Sequence, residues 1–166
     1  DIITTQIYLR LFPREEILEP ALKTLVAQCG EGLGLVAADV PLISNLDILG
    51  NLALIKQYRE DLPKDDAESL VLSYLRRFDL EHIAYRRNPA LTAEERFCAM
   101  LVRAVMVPEA CVVIDRPLKI LPDLQKNRFF HDTLMKVADS WSSCVIVDYP
   151  CNRERYENIP VADDEL

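Results

Sequence analysis

The sequence has few of the residues that most directly mark a phosphate, metal or membrane site. Its 166 residues include four glycines and two histidines, and no glycine is followed by a lysine. This stretch of chain therefore excludes a glycine-rich phosphate loop of the GxxxxGK[ST] type. His82 and His131 lie far apart within helical patterns, so we assign no metal. No apolar run approaches the roughly 18 residues that span a bilayer, which argues against direct membrane insertion.

Positive charge is also in short supply. Nineteen lysine and arginine residues stand against 27 aspartate and glutamate residues, which gives a formal net charge of −8 at pH 7. A chain with this balance has no general electrostatic attraction for nucleic acid or for anionic lipid. We interpret the strongest basic cluster as the solvated face of a helical region: Arg76, Arg77, Arg86 and Arg87. We therefore expect no nucleic-acid partner.

The cysteine usage is not that of a disulfide framework. The five cysteines are odd in number, form no C-x-x-C pair and mostly lie within apolar runs. This usage predicts free thiols in a reducing compartment. The first residues also lack the basic-then-apolar pattern of a signal peptide. We therefore expect a cytoplasmic location, with a peripheral position on the inner face of the cell membrane left open.

What the sequence does have is apolar residues in short runs. Half of its residues are hydrophobic and 28% are charged, and its length suits one domain with a sizeable core. The alternating, β-branched residues 2–12 predict a strand, and residues 15–28 predict a helix. Residues 35–38, 111–114 and 144–147 are short apolar runs that are typical of central strands in a parallel sheet. The predicted fold class is therefore α/β.

Helical patterns fill most of the chain between these runs. Apolar residues recur at helical spacing over residues 46–58. Thr92, with Glu95 three residues later, predicts a capping-box start for another helix. A further helix is expected at about 123–139. The predicted organisation is an α/β core from residues 1–50 and 107–166 with a helical subdomain from residues 51–106, in one compact domain.

Two stretches of the sequence resemble a known family. Residues 36–53 read VAADVPLISNLDILGNLA, which resembles the Q-loop segment of ABC-transporter nucleotide-binding domains. Residues 91–117 read LTAEERFCAMLVRAVMVPEACVVIDRP, which resembles the stretch from the signature helix to the Walker B strand of those domains. This second stretch keeps the family's spacing without a gap at Leu91, Arg96, Arg103, Ala104, Pro108, Asp115 and Pro117.

The resemblance covers about residues 34–150. It implies a partial P-loop, ABC-ATPase-like core with a mostly parallel sheet and an inserted helical subdomain. Within the family, the sequence is most similar in kind to the ATPases of bacterial lipid-asymmetry (MCE-associated) transporters.

The resemblance implies that the residues needed for ATP hydrolysis have been replaced. The Q-loop glutamine falls on Ala38, next to Asp39, and the switch histidine falls on Tyr149. Asp115 keeps the Walker B aspartate, but the catalytic glutamate that follows it falls on Arg116, and a cation cannot act as that base. The signature serine and glycines fall on Thr92, Ala93 and Glu94, between Leu91 and Glu95.

These losses predict a non-catalytic ABC ATPase-like protein, or pseudo-ATPase, with no catalytic residue and no cofactor. It would serve as an accessory or regulatory subunit of an ABC-type transport system. Its partner would be a membrane permease or an active ABC ATPase subunit, and homo- or heterodimer formation is left open. The resemblance places the permease-docking surface on Leu42, Ile43, Arg76 and Arg77, and we expect the two apolar residues to be partly exposed.

Two other interpretations stay open. The chain lacks an initiating methionine, so a phosphate loop could lie upstream of Asp1, and the protein would then be an ATP-binding subunit of an ABC transporter. Alternatively, the chain could be a soluble protein-binding α/β domain unrelated to transport. A strand followed by GxxxxGK[ST] upstream would favour the first of these alternatives.

Overall fold

The centre of the molecule is a parallel sheet. A computed structural model describes residues 7–124 and 128–162. The strands are β1 (Ile7–Leu11), β2 (Leu33–Val36), β3 (Ala110–Asp115) and β4 (Trp141–Asp148). They are all parallel, in the order β1-β4-β3-β2. The predicted α/β class is confirmed, and the three short apolar runs are neighbouring strands, as predicted.

Helices cover both faces of this sheet. On one face, Val113 lies in a buried cluster with Leu18. On the opposite face, Val112 and Ile114 lie in a second cluster with Phe97. This alternation follows from the two-residue period of a strand. The helices are α1 (Glu15–Cys29) on the first face and, on the other side, α2 (Ile48–Arg59), α3 (Lys64–Arg77), α4 (Ala93–Val105) and α5 (Phe129–Met135).

Two predicted elements extend beyond the described part of the chain. The strand expected at 2–12 is observed as β1, and its residues 2–6 lie outside the described residues. The helix expected at 123–139 is observed only as α5, which has seven residues. It ends early because Ala138–Ser140 form a 3-10 turn that leads into β4. Residues 125–127 lie outside the described part.

The starts of two helices are fixed by side-chain caps. Thr92 Oγ1 accepts a hydrogen bond from the amide of Glu95 at 3.1 Å, and Glu95 Oε1 accepts one from the amide of Thr92 at 2.9 Å. This is the predicted capping box, and α4 begins directly after it. Asp47 Oδ1 accepts a hydrogen bond from the amide of Gly50 at 2.7 Å and so begins α2. The helix predicted from residue 46 therefore starts at Ile48.

The sheet and α4 approach each other closely at Gly34 in β2. A Cβ atom at this position would lie 2.5 Å from the carbonyl oxygen of Ala104, so only glycine fits. β2 begins two residues before the predicted strand at 35–38, because Leu33 already pairs with Cys111 of β3. The close packing of α4 on the sheet thus depends on the absence of a side chain at Gly34.

One buried cluster joins the sheet to the helices. It contains Leu9 and Ile146 from the strands as well as Leu52 and Leu75 from α2 and α3. The division into an α/β core and a helical subdomain stays a prediction. None of the helices in the described part of the chain is long and apolar enough to cross a membrane.

The prediction of free cysteines is wrong for two of the five. Cys29, the last residue of α1, forms a disulfide with Cys111 of β3, with Cα atoms 5.6 Å apart. The two lie 82 residues apart in sequence, so only the packing of α1 on the sheet brings them together. Cys98 and Cys144 are buried free thiols, and Cys151 is exposed. Burial raises the pKa of the Cys98 thiol to about 12, so it stays protonated at neutral pH.

Candidate functional site

The candidate site lies at the carboxyl ends of the two central strands. Asp115 is the last residue of β3 and Asp148 is the last residue of β4. Arg116 and Tyr149 follow directly, so the sheet places them next to each other. In open parallel sheets, ligands bind at this edge.

Arg116 is the centre of this site. Its guanidinium binds both carboxylate oxygens of Asp115, with Nε 2.7 Å from Oδ1 and Nη2 3.3 Å from Oδ2. Nη2 also lies 2.5 Å from Oε1 of Glu19 in α1, and Nη1 donates to the hydroxyl of Tyr149 at 3.1 Å. Although it carries a charge, Arg116 is only 4% exposed. The hydrogen bond to Asp115 holds the pKa of the guanidinium above its usual value, so the cation is permanent.

The backbone at Arg116 adopts an unusual conformation to make these contacts. Its φ is 39°, in the left-handed region that a residue with a Cβ atom adopts at a cost of about 1–2 kcal/mol. The amide of Arg116 donates to the carbonyl of Val147 at 2.8 Å, which continues the pairing of β3 with β4 by one residue. The strained backbone is therefore held by the neighbouring strand.

These contacts determine what the site can do chemically. Asp115 is 3% exposed and both of its oxygens accept from Arg116, so a divalent cation could bind it only by displacing the guanidinium. Arg116 has no basic atom to accept a proton from water. Tyr149 donates or accepts only through a hydroxyl that already binds Arg116. The cluster is a closed ion-pair network.

A strand, a turn and a helix adjoin this network. β1 is connected to α1 by the three residues 12–14, which is the strand-turn-helix order in which phosphate loops occur. Here the turn contains Pro13, and the first helical turn carries Glu15 and Glu16. Two carboxylates interact favourably with a helix N-terminus, but their negative charges would repel a phosphate bound there. Arg14 is itself 3.7 Å from Glu16.

A second buried polar group, Asp148, was not identified from the sequence. Its Oδ1 accepts from the amide of Tyr149 at 2.7 Å and from the side chain of Asn152 at 2.9 Å, and its Oδ2 accepts from the Tyr156 hydroxyl. Burial, and then the charge of Asp148, raise the pKa of Tyr156, so its hydroxyl keeps its proton. A carboxylate directly after an apolar strand was the only sequence signal. The hydrogen bonds of Asp148 therefore stabilise the turn that carries Tyr149.

The signature-like segment forms a separate part of the surface. Thr92 and Glu95 are occupied by their mutual cap, and the hydrogen bond from the backbone of Thr92 lowers the pKa of Glu95. His82 and Arg86 lie 3.4 Å and 3.8 Å from the same carboxylate. Thr92, Ala93 and Glu94 line a cavity of about 360 Å³ together with residues 121–124 and Phe129. The residues that bind the Arg116 side chain do not include any from this segment.

The Q-loop-like segment after β2 is held rigidly. Ala38 is half-buried and Asp39 is exposed. Asn51, which is 3% exposed, accepts from the amide of Ile43 at 2.7 Å and donates to three carbonyl oxygens of the same segment. Arg103 donates to the carbonyls of residues 40 and 41. The resemblance picked out Arg103 but gave no structural role for it.

The expected docking residues are placed differently from the prediction. Leu42 is 2% exposed, so the expectation that it is partly exposed is wrong: it packs in the main core cluster. Ile43 is 46% exposed, as expected. Arg76 is paired with Glu81, and Arg77 is paired with Asp139 at 2.7 Å and stacks over Tyr74 at 4.3 Å. The positive charge of each arginine is therefore balanced by a neighbouring carboxylate.

The fold and the order of these segments define the class of the protein: it has the fold of an ABC-type nucleotide-binding domain. CbiO1 from Clostridium perfringens, which is part of the ABC transporter complex CbiONQ, is similar in structure. The TM-score is 0.65 over 87% of this chain and 67% of that chain, at 12% identity. The resemblance to ABC-transporter nucleotide-binding domains is confirmed, whereas the similarity to the lipid-asymmetry (MCE-associated) type stays a prediction.

The sequence is also similar to that of a curated ATP-binding protein. The lipopolysaccharide export system ATP-binding protein LptB of Escherichia coli strain K12 is 24% identical over 97 residues, which are 58% of this chain. The same protein of Shigella flexneri matches equally. The match spans only 40% of the length of LptB. No protein-family model matches the sequence. The chain is therefore similar in sequence to part of an ABC-type ATP-binding protein and has the fold of an ABC-type nucleotide-binding domain.

Proposed function

We propose that this chain is a non-catalytic ABC ATPase-like protein that acts as an accessory or regulatory subunit of an ABC-type transport system. The observation that carries the proposal is the closed network around Arg116. A cation stands where the resemblance places the catalytic glutamate, and it donates hydrogen bonds to both carboxylate oxygens of Asp115. The chain would keep the fold of an ATPase, but Arg116, at the position of the catalytic glutamate, cannot activate water.

The energetics of the network support this proposal. Mg²⁺ could reach Asp115 only if Arg116 moved away, and breaking a buried ion pair costs about 3–5 kcal/mol. The displaced guanidinium would then lie where the positive charge of the metal repels it. Glu19 adds a second carboxylate that favours Arg116 in its present position. Metal binding would have to overcome all three effects.

The turn at residues 12–14 supports the same proposal against the ATP-binding alternative. Among the described residues, it is the strand-to-helix turn that adjoins the Arg116 network through Glu19. It has neither the length nor the lysine of a phosphate loop. If a phosphate loop existed upstream, it would have to reach a site that Arg116 and Glu19 already fill.

The partner that we propose is a membrane permease or an active ABC ATPase subunit. The proposed docking surface consists of Val40, Ile43 and Tyr85, which are 43%, 46% and 76% exposed. The segment that carries Tyr85 pairs with the start of α2, since the amides of Ile48 and Leu49 donate to the carbonyls of residues 86 and 84. Asn51, also in α2, holds Ile43. Ile43 and the segment of Tyr85 are thus both held against the start of α2, and Arg103 of α4 holds the backbone of Val40. The proposed location is cytoplasmic, against the membrane.

The proposal is tested by measuring Mg-ATP binding and hydrolysis with the purified chain. We expect neither a calorimetric signal at millimolar ATP nor hydrolysis above background. Arg116→Glu alone should also be inactive, because the phosphate cradle would still be missing. Arg87→Glu, a change at an exposed arginine, is the matched control. A binding signal in the wild type that Asp115→Ala abolishes would contradict the proposal and favour the ATP-binding alternative.

A further inference from the structure

Helix α1 is fastened to β3 near both of its ends. Near its start, Glu19 lies 2.5 Å from Arg116, which directly follows β3. At its end, Cys29 is joined by a disulfide to Cys111, near the start of β3. The helix therefore runs antiparallel to the strand, with an ionic contact at one end and a covalent bond at the other.

The apolar contacts between these two ends are unevenly distributed. Leu18 is the only buried residue of α1, and it lies beside Glu19. In the C-terminal half, Leu22 and Leu25 are only partly buried. Pro20 separates the halves, and its missing amide proton removes one hydrogen bond from the helix. The C-terminal half therefore rests on partly buried side chains and on the disulfide.

We infer that the Cys29–Cys111 disulfide is a reversible redox device that holds the C-terminal half of α1 on the sheet. Both cysteines are half-buried, so a small dithiol can reach them. In the reaction, the Cys29–Cys111 bond breaks and the reductant's two sulfurs form a new disulfide. Two electrons and two protons pass to the cysteines, which become thiols. In compartments that keep thiols reduced, disulfides are usually transient and redox-sensing.

Reduction should release only part of the helix. Residues 21–29 lose their covalent bond to the sheet, whereas Leu18 and the Glu19–Arg116 contact keep the first turns in place. Release should further expose the partly buried strand residues that pack in the same cluster as this half, which are Leu33, Leu35 and Val145. The device does not depend on whether the chain binds ATP, because none of its parts is a nucleotide-binding group.

The disulfide itself is tested by counting thiols. In a Cys151→Ser background, which removes the exposed thiol, the protein is incubated with oxidised glutathione, denatured and alkylated. We expect two labelled cysteines, Cys98 and Cys144, and four when dithiothreitol is added before alkylation. Four labels without the reductant would overturn the inference, since the bond would not form.

The device is tested by hydrogen exchange of the same protein in the two redox states. Reduction should make the amides of residues 21–29 exchange about tenfold faster and leave α4 unchanged. It should also lower the melting temperature by about 10 °C, because the bond closes a long loop. Cys29→Ser, or C111S if that variant does not fold, should show the fast exchange with or without reductant. Equal exchange of residues 21–29 in both states would overturn the device.

Discussion

At the scale of single residues, Arg116 is the residue that distinguishes this site. Its side chain neutralises Asp115, which is 3% exposed and would otherwise be a buried, unpaired charge. We therefore expect Arg116→Met to lower the free energy of unfolding by about 3 kcal/mol or more, measured by urea denaturation. The double variant Asp115→Asn/Arg116→Met should recover most of this loss, because no charge remains buried. If the double variant is as unstable as Arg116→Met alone, the ion pair is not the cause.

A second residue-scale prediction concerns the sheet between its two helical layers. Val113 is fully buried in β3 and packs in the cluster under α1. Val113→Asp should cost more than about 4 kcal/mol, because it buries a charge without a partner. Val113→Ala, which only removes volume, should cost about 2 kcal/mol. Similar losses for the two variants would show that the aspartate reaches solvent and that this face of the sheet is less covered than described.

The residues that sequence reasoning missed share one property. Asp115 and Arg116 are neighbours in sequence, so the contact between their side chains is a local one. Glu19, by contrast, is 97 residues from Arg116, and no pattern in the chain connects them. The same is true of Cys29 and Cys111. Long-range partners depend on how α1 lies on the sheet, which local periodicity does not specify.

At the scale of elements, the start of α4 makes a pH-dependent contribution to stability. The pKa of Glu95 is lowered from its usual 4.5, first by the backbone hydrogen bond of Thr92, with His82 and Arg86 also near its carboxylate. A group whose folded pKa is depressed stabilises the fold above its unfolded pKa and loses that contribution as pH falls through the folded pKa. The stability difference between wild type and Glu95→Gln should therefore shrink as the pH falls below about 5. Denaturation series at several pH values check this.

The matched control for that series is Glu94→Gln. Glu94 is exposed in the same helical turn, and no cap hydrogen bond uses its side chain. It reports the general effect of removing one negative charge near the helix N-terminus. If both variants show the same pH profile, the capping box is not the source of the pH dependence.

Elements were predicted well where a local signal fixed them and poorly where tertiary packing did. The central strands and the start of α4 follow from apolar runs and from a capping box, and both are confirmed. The early start of β2 depends on its pairing with β3, and the short α5 depends on the 3-10 turn at Ala138–Ser140. Neither feature leaves a periodic pattern in the sequence.

At the scale of the whole molecule, the proposed function requires a partner, and the exposed apolar residues identify where to test for one. Ile43 and the segment that carries Tyr85 are hydrogen-bonded to the start of α2, whereas Tyr58, 88% exposed, lies at the other end of the same helix. Leu42 cannot belong to the proposed docking surface because it is buried, and the paired Arg76 and Arg77 are poor candidates for a charge-dependent contact.

The resulting test compares the double variant Ile43→Ser/Tyr85→Ser with Tyr58→Ser as the control. Because Tyr58 and Tyr85 are largely exposed and Ile43 is about half exposed, each change should alter the free energy of unfolding by only about 0.5 kcal/mol. The double variant should nevertheless lose co-purification with a membrane permease from the native cell, since it removes the apolar centre of the contact. Tyr58→Ser should keep it. If the double variant still recovers the permease, the docking surface is elsewhere. If the wild type recovers neither a permease nor an ABC ATPase subunit, the transporter-subunit proposal is wrong and a soluble protein-binding role replaces it.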